Sequence, residues 1–341
     1  MNIVVFGATG NIGSAVVERL ADAEAVEAVR AVARRVPEPA PGFPGSGKVT
    51  WSAADLRHDD LSRVVDGAAA VVQLGWMFQP THRPSVTWET NVVGMARLLD
   101  AVQEAGVPAV VAASSVAAYS ARRDLDPVDE SWPTHGTSTA AYCREKAYVE
   151  RLLDGFAARA TGCRVVRVRP AFVFQHRAAA EQRRIFAGPL VRGFMVRPGT
   201  VPVLPAPRDL RLQTVHATDV ADAVARCVLR DVEGAFNVCA DDVLAPRDIA
   251  GLLDARHVPV APSVARTVLA AAWSVRAVPA DPWLFDAVMR IPVMSNQRAR
   301  RELGWQPTRT GRDAVAEFLV GLREGAGHPT PPLHPDPDGV G

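Results

Sequence analysis

The stretch "NIVVFGATGNIGSAVVERL", residues 2–20, puts Gly7, Gly10 and Gly13 between a short apolar run and a helical pattern. The run "NIVVFG" reads as a buried strand, and Val16, Val17 and Leu20 mark one face of the helix that follows. Glycine is needed where a chain turns tightly and comes close to a pyrophosphate with no Cβ in the way. The helix start then presents unpaired N–H groups and a positive dipole end to phosphate. The spacing is GxxGxxG, and its setting between strand and helix makes it a dinucleotide-binding loop rather than a turn that only packs helix on strand.

The pattern set by this unit continues. "VRAVAR", "AAVVQLG", "AVVAASS" and "CRVVRVRP" read as further strands, separated by the helical segments "LSRVVDG", "NVVGMARLLDAVQEAG" and "TAAYCREKAYVERLLDGFAARATG". Such alternation predicts a mostly parallel sheet with helices on both faces. The second half carries proline-dense loops and helices near 217–229, 263–275 and 282–288, and is expected to form a smaller cap on the carboxyl edge of the sheet. The expected division is 1–170 for the dinucleotide-binding body, segments near 211–240 returning to it, and 171–322 mainly for the cap. The final "GAGHPTPPLHPDPDGVG", residues 325–341, lacks periodicity and reads as a disordered tail.

Bulk properties exclude several classes. The net charge of +1 gives no electrostatic case for nucleic acid or an anionic membrane. No apolar run reaches the ~18 residues of a membrane span, and the chain opens directly on a strand, so a cytoplasmic protein is expected. The four cysteines form no CxxC pair, and no histidine spacing suggests a metal site.

Cofactor choice is read at the end of the second strand. Ala33 stands where an NAD binder usually places an acid on the ribose, and Arg34 and Arg35 follow. Two guanidinium groups without a carboxylate suit a 2′-phosphate, so NADP is expected in preference to NAD.

The chain holds three tyrosines and only two lysines among its 38 basic residues, yet Tyr142 and Lys146 lie four apart in "TAAYCREKAYVE", residues 139–150. Chance gives roughly a 2 % expectation of such a pair, so the spacing is informative. On a helix the two side chains share a face. An ammonium beside a phenol lowers its pKa and fits it to exchange a proton with an alcohol or carbonyl. Ser114 and Ser115 end a strand at the edge where the cofactor is expected. Trp76, Met77 and Phe78, in the loop after "QLG", are expected with Phe172 to line a pocket for an apolar or aromatic substrate portion.

Taken with these motifs, "DL" at 55–56, "AAVVQLG" at 69–75, "ASSVAAY" at 113–119, "VRPAFVF" at 168–174, "VHATDVADAV" at 215–224 and "ELGWQP" at 302–307 resemble the extended short-chain dehydrogenase/reductases of the NAD(P)-dependent epimerase/dehydratase superfamily. The resemblance implies an α/β, Rossmann-type doubly wound sheet with a C-terminal substrate-binding cap. It implies that Ser115 is the catalytic serine, that Tyr142 is the acid/base, and that Lys146 both lowers its pKa and holds the nicotinamide ribose. It places Thr9, Asn11 and Ile12 of the glycine loop, Asp55, Leu56, Leu74, Gly75, Ser114 and Pro170 around the cofactor, and Asn91, opening a long helix, as a supporting residue. It also implies a homodimer packed through two long helices of each subunit. The implied activity is hydride transfer at a secondary alcohol or ketone of a small molecule. The alternatives are an epimerase using internal redox on a sugar-like substrate and a non-catalytic nicotinamide-binding regulator. Two departures stand out. Glu145 precedes the lysine where the family often has serine, and "PAFVFQH" lacks the glycines usual after the sixth strand.

Overall fold

In the computed structural model, residues 1–188 and 193–336 are described. Seven strands form one sheet: β1 (Asn2–Phe6), β2 (Ala28–Ala33), β3 (Val49–Ala53), β4 (Ala70–Gln73), β5 (Ala109–Ala113), β6 (Arg164–Pro170) and a late strand, Gly234–Val238. Their spatial order is β3-β2-β1-β4-β5-β6 with the late strand outermost beside β6, and every pairing is parallel. Alternate residues of each strand feed two cores. Ile3 and Val5 pack with helix α1 (Asn11–Ala21) and with the helix Ala217–Leu229, which lies beside it. Val4 and Phe6 point the other way, toward α2 (Leu61–Val65), α4 (Gly94–Glu104) and α5 (Ala141–Arg159). The central strands are buried on both faces, which is why β1 and β5 read as apolar runs. This is the Rossmann-type doubly wound architecture.

Parallel strands put all their carboxyl ends on one edge, and that edge builds the site. The glycine loop leaves β1 there, Arg34 follows β2, Asp55 follows β3, Leu74 and Gly75 follow β4, Ser114 and Ser115 follow β5, and Phe172 follows β6. The cap over this edge uses short elements. Phe172–Phe174 (β7) pairs with Leu212–His216 (β9), and Val203–Pro207 (β8) pairs with Arg256–Val260. Helices Pro262–Ser274, Pro282–Val288 and Gly311–Glu324 complete it.

Two expectations are corrected. The helix expected to open at Asn91 begins at Pro84 as α3 (Pro84–Trp88) and passes through a π-helical turn, Glu89–Val93, into α4. Asn91 therefore lies inside the helix. The tail expected to be disordered from residue 325 is folded through Asp336: Thr330 and Leu333 are fully buried, and Asp336 pairs with Arg183 and Arg184. The residues 337–341 of that expectation lie outside the described residues, as do 189–192 of the cap.

Candidate active site

The carboxyl edge and the cap enclose a cleft of about 930 Å³. Of the residues expected to hold the cofactor, all but Arg35 and Asn91 line it. The glycines divide the work. Gly7 has φ +74°, and a Cβ on it would stand 2.4 Å from the Gly75 nitrogen, so this glycine is required by the close approach of β1 and β4. A Cβ on Gly13 would meet the Gly7 carbonyl oxygen at 2.0 Å. Gly10 differs: its φ is −83°, and the nearest atom to a Cβ there is 3.6 Å away. Among the described residues no packing contact demands glycine at 10. What its missing side chain keeps open is the cleft, at the start of α1. This fits a pyrophosphate.

Arg34 is exposed at the lip of the cleft, near the Asp55 carboxylate. Arg57 grips that carboxylate through Nε at 3.0 Å and a terminal nitrogen at 2.7 Å, and holds it down to about 2. Arg35 is exposed and outside the cleft.

At the far end stand Ser115, Tyr142 and Lys146. Ser115 caps a 3₁₀ turn, Val116–Ala118, by accepting from the Ala117 N–H at 3.1 Å, and it lines the same cleft as Tyr142. Helix α5 puts Tyr142, Lys146 and Glu150 at successive i+4 positions on one face. The Lys146 ammonium donates to the Ala113 carbonyl at 2.9 Å and sits 3.5 Å from the centre of the Trp76 ring. Phe78 stacks on Tyr142, centroids 5.0 Å apart, and Trp76 meets the same ring edge-on at 5.7 Å.

The electrostatics depart from expectation. Burial pushes the Tyr142 phenol up, and the Ser115 hydroxyl acts to lower it. Burial also pulls Lys146 down to about 7, with Glu150 and Glu145 acting against that fall. The ammonium lies 5.9 Å from the centre of the phenol ring and is also engaged by Trp76 and a carbonyl.

Ser114 and Asn91 turn elsewhere. Ser114 donates to Glu150 at 2.5 Å, and Glu150 is gripped by Arg169 at 2.8 and 2.9 Å. Arg169 also donates to Tyr119, which donates to Asn237 at 2.7 Å. This buried network ties α5 to the ends of β5 and β6 beneath the reactive pair. Asn91, aimed inward by the π-helical turn, accepts from the Met77 N–H at 2.8 Å and donates to the Met77 carbonyl at 2.9 Å. It also donates to Glu145, which accepts from Thr87, both at 2.6 Å. Glu145 thus pins the loop that carries Trp76, Met77 and Phe78. Apolar residues line the cleft beside Tyr142: those three with Phe172, Phe186 and Leu284. The cap adds Glu181, which no sequence pattern marks and which burial pushes up to about 7.

A doubly wound α/β protein with a glycine-loop cleft and a Ser–Tyr–Lys set at one sheet edge is the class these elements define. Over residues 3–239 the chain matches the NAD dependent epimerase/dehydratase family, and it belongs to that family. A UDP-glucose 4-epimerase of Streptomyces lividans is 28 % identical over 162 residues, which are 46 % of this chain and 47 % of the relative. The chain thus matches about half the length of that curated relative. The same fold is seen in MoeE5 in complex with UDP-glucose and NAD, with a TM-score of 0.68, 19 % identity and coverage of 95 % of this chain and 99 % of that one. It is also seen in DesIV, a dTDP-glucose 4,6-dehydratase from Streptomyces venezuelae, with a TM-score of 0.66, 19 % identity and coverage of 95 % and 97 %.

Proposed function

We propose that the protein is an NAD(P)-dependent oxidoreductase acting at a secondary alcohol or its ketone, with NADP preferred. The observation that carries this reading is that Ser115 and Tyr142, with Lys146 one helical turn from the tyrosine, line the same cleft as the glycine loop. The nicotinamide, when bound, supplies or accepts the hydride. Ser115 orients the substrate oxygen, and Tyr142 gives it a proton or takes one away. Lys146 offers donors to the nicotinamide ribose. Arg34 takes the 2′-phosphate, with Ala33 rather than an acid ending the second strand.

The aromatic and aliphatic residues beside Tyr142 favour a substrate with an apolar portion at the reacting end. Val116 and Ala117, beside Ser115, offer no acid for elimination of water, which favours redox over dehydration. A second reading, epimerisation by internal redox, is favoured by the similarity to the Streptomyces lividans enzyme. Small molecules are the partners, and Val93 and Tyr148, exposed on the long helices, suit a homodimer packed through them.

The test is Tyr142→Phe. Titration with NADPH should give wild-type binding, while turnover of a panel of aryl and alkyl ketones falls by at least about a hundredfold. Full turnover in that variant would refute the mechanism.

A further inference from the structure

The segment Ala326–Asp336 crosses the cleft from one lip to the other. On the body side, the Thr330 hydroxyl donates at 2.9 Å to the Thr9 carbonyl, inside the glycine loop. Thr330 and Leu333 are fully buried, so the contact is a seat rather than a surface touch. On the cap side, Asp336 pairs with Arg183 and Arg184, each at 2.8 Å, and Arg184 also donates to the carbonyls of Pro332 and His334 at 3.0 and 2.9 Å. The segment holds its own shape: the His328 N–H donates to the Leu333 carbonyl at 2.7 Å, and the Leu333 N–H to the Thr330 carbonyl at 2.9 Å. Between the two anchors Pro332 faces the cleft that the glycine loop lines.

We propose that Ala326–Asp336 is a strap forming an outer wall of the dinucleotide site, and that its opening sets how fast the cofactor enters and leaves. The proposal rests on the reading of the cleft as a nicotinamide-dinucleotide site and adds to it a group of residues outside the sheet. Three arguments support it. First, the strap binds the backbone of the loop expected to cradle the pyrophosphate, so a phosphate seated there and a closed strap reinforce the same loop conformation. Second, its far anchor is on the segment that carries Glu181 and Phe186 into the cleft, so closing the strap also fixes the cap wall. Third, its attachments are to loops and helices and none is to a strand of the sheet: the Thr330 bond to Thr9, the Ala180 N–H bond to the Ala326 carbonyl, His328 near Glu18, and the contacts of Arg183 and Arg184 with Asp336, Pro332 and His334. Segments held in this way open at low free-energy cost while the sheet stays intact.

The experiment is a displacement assay. Wild type, Asp336→Asn, Thr330→Val and the double variant are loaded with NADPH and mixed with excess NADP⁺, and the loss of bound-NADPH fluorescence is timed. The strap predicts release at least ~10-fold faster in the double variant, with each single variant intermediate and the midpoint of thermal unfolding nearly unchanged. Hydrogen exchange on the wild-type chain gives a second readout that needs no variant. Amides of 326–336 should gain protection on adding NADPH. Wild-type release rates in the double variant, or no change in exchange across 326–336 when NADPH binds, would overturn the strap while leaving the cleft's assignment intact. A wild-type chain that binds neither NADPH nor NADH would instead overturn the reading of the cleft and the strap with it.

Discussion

Gly10→Ala separates a glycine kept for a ligand from one kept for the fold. Gly10 is the N-cap of α1, with φ −83° and ψ −179°, a conformation alanine adopts freely. Its added Cβ would find no atom closer than 3.6 Å. Alanine caps helices less well than glycine, a loss of up to about 1 kcal/mol, while stiffening the unfolded chain returns ~0.4–1 kcal/mol. The two nearly cancel, so stability should stay within about 0.5 kcal/mol. The new methyl, however, enters the wall of the cleft at the helix start. Loss of even one N–H bond to a charged phosphate is worth ~1.5–3 kcal/mol, and the dissociation constant for NADPH should rise about 10- to 100-fold. Gly7→Ala is the contrast. It forces a left-handed residue, at ~1–2 kcal/mol, and drives a Cβ to 2.4 Å from the Gly75 backbone nitrogen, which moves only with the end of β4. Overpacking adds ~1–3 kcal/mol. Calorimetric unfolding and a fluorescence titration with NADPH measure both quantities on each variant. If Gly10→Ala unfolds as early as Gly7→Ala, the glycine at 10 is structural. If it binds NADPH as wild type does, the start of α1 is not where the phosphates sit.

Two further outcomes can be measured on the same material. Arg34→Ala should weaken NADP⁺ by about tenfold or more and NAD⁺ by less than about threefold, and equal losses for both cofactors would remove the 2′-phosphate assignment. Glu150→Gln leaves the buried Arg169 without its carboxylate and should cost ~3–5 kcal/mol of stability. Arg169 holds Glu150 below the ordinary carboxylate range, against the opposing effect of burial. A carboxyl depressed in the folded state stabilises above its unfolded pKa, and that contribution fades as pH falls through the folded value. The acid limb of the stability profile should therefore flatten in Glu150→Gln; a limb of unchanged slope would show that Glu150 does not carry it.

How much of this was legible in the sequence follows from range. The β1–loop–α1 unit and the parallel sheet were legible because the strands are mostly apolar runs and each helix has its own period, all local properties. Tyr142 and Lys146 were legible because lysine and tyrosine are scarce here. The cap sheets were not: β8 is "VLPAP" and the strand paired with it is "RHVPV", whose prolines break the alternation that marks a strand. The helix start at Pro84 was hidden because "PSVTWET" carries little apolar periodicity before Val92. Glu150 and Arg169 stand 19 positions apart, and only the fold buries them together. The strap read as disorder because Leu333 has no apolar neighbours in sequence and finds its seat only in the folded protein. The pairing of Lys146 with Trp76 lies across 70 positions of chain, and no spacing rule reaches it.

That pairing bears on how the strap and the catalytic groups act together. Lys146, near 7 in this arrangement, is engaged by an aromatic ring and one carbonyl. Trp76 is held there by the loop that Asn91 and Glu145 pin, so the ammonium's environment is set by residues remote from the cofactor loop. A ribose placed at Lys146 would compete with the Trp76 face for its donors, and phosphates at the helix start would be closed in by the strap. Binding at the two ends would then be linked through one molecule spanning the cleft. Net redox and internal redox place opposite demands on this linkage. A net oxidoreductase must release its cofactor at every turnover, so loosening the strap should raise kcat wherever release limits it. An epimerase gains from retention, and the same variants should leave its kcat unchanged while the enzyme loses cofactor on dilution. The strap variants therefore discriminate between the two readings of the site as well as testing the strap.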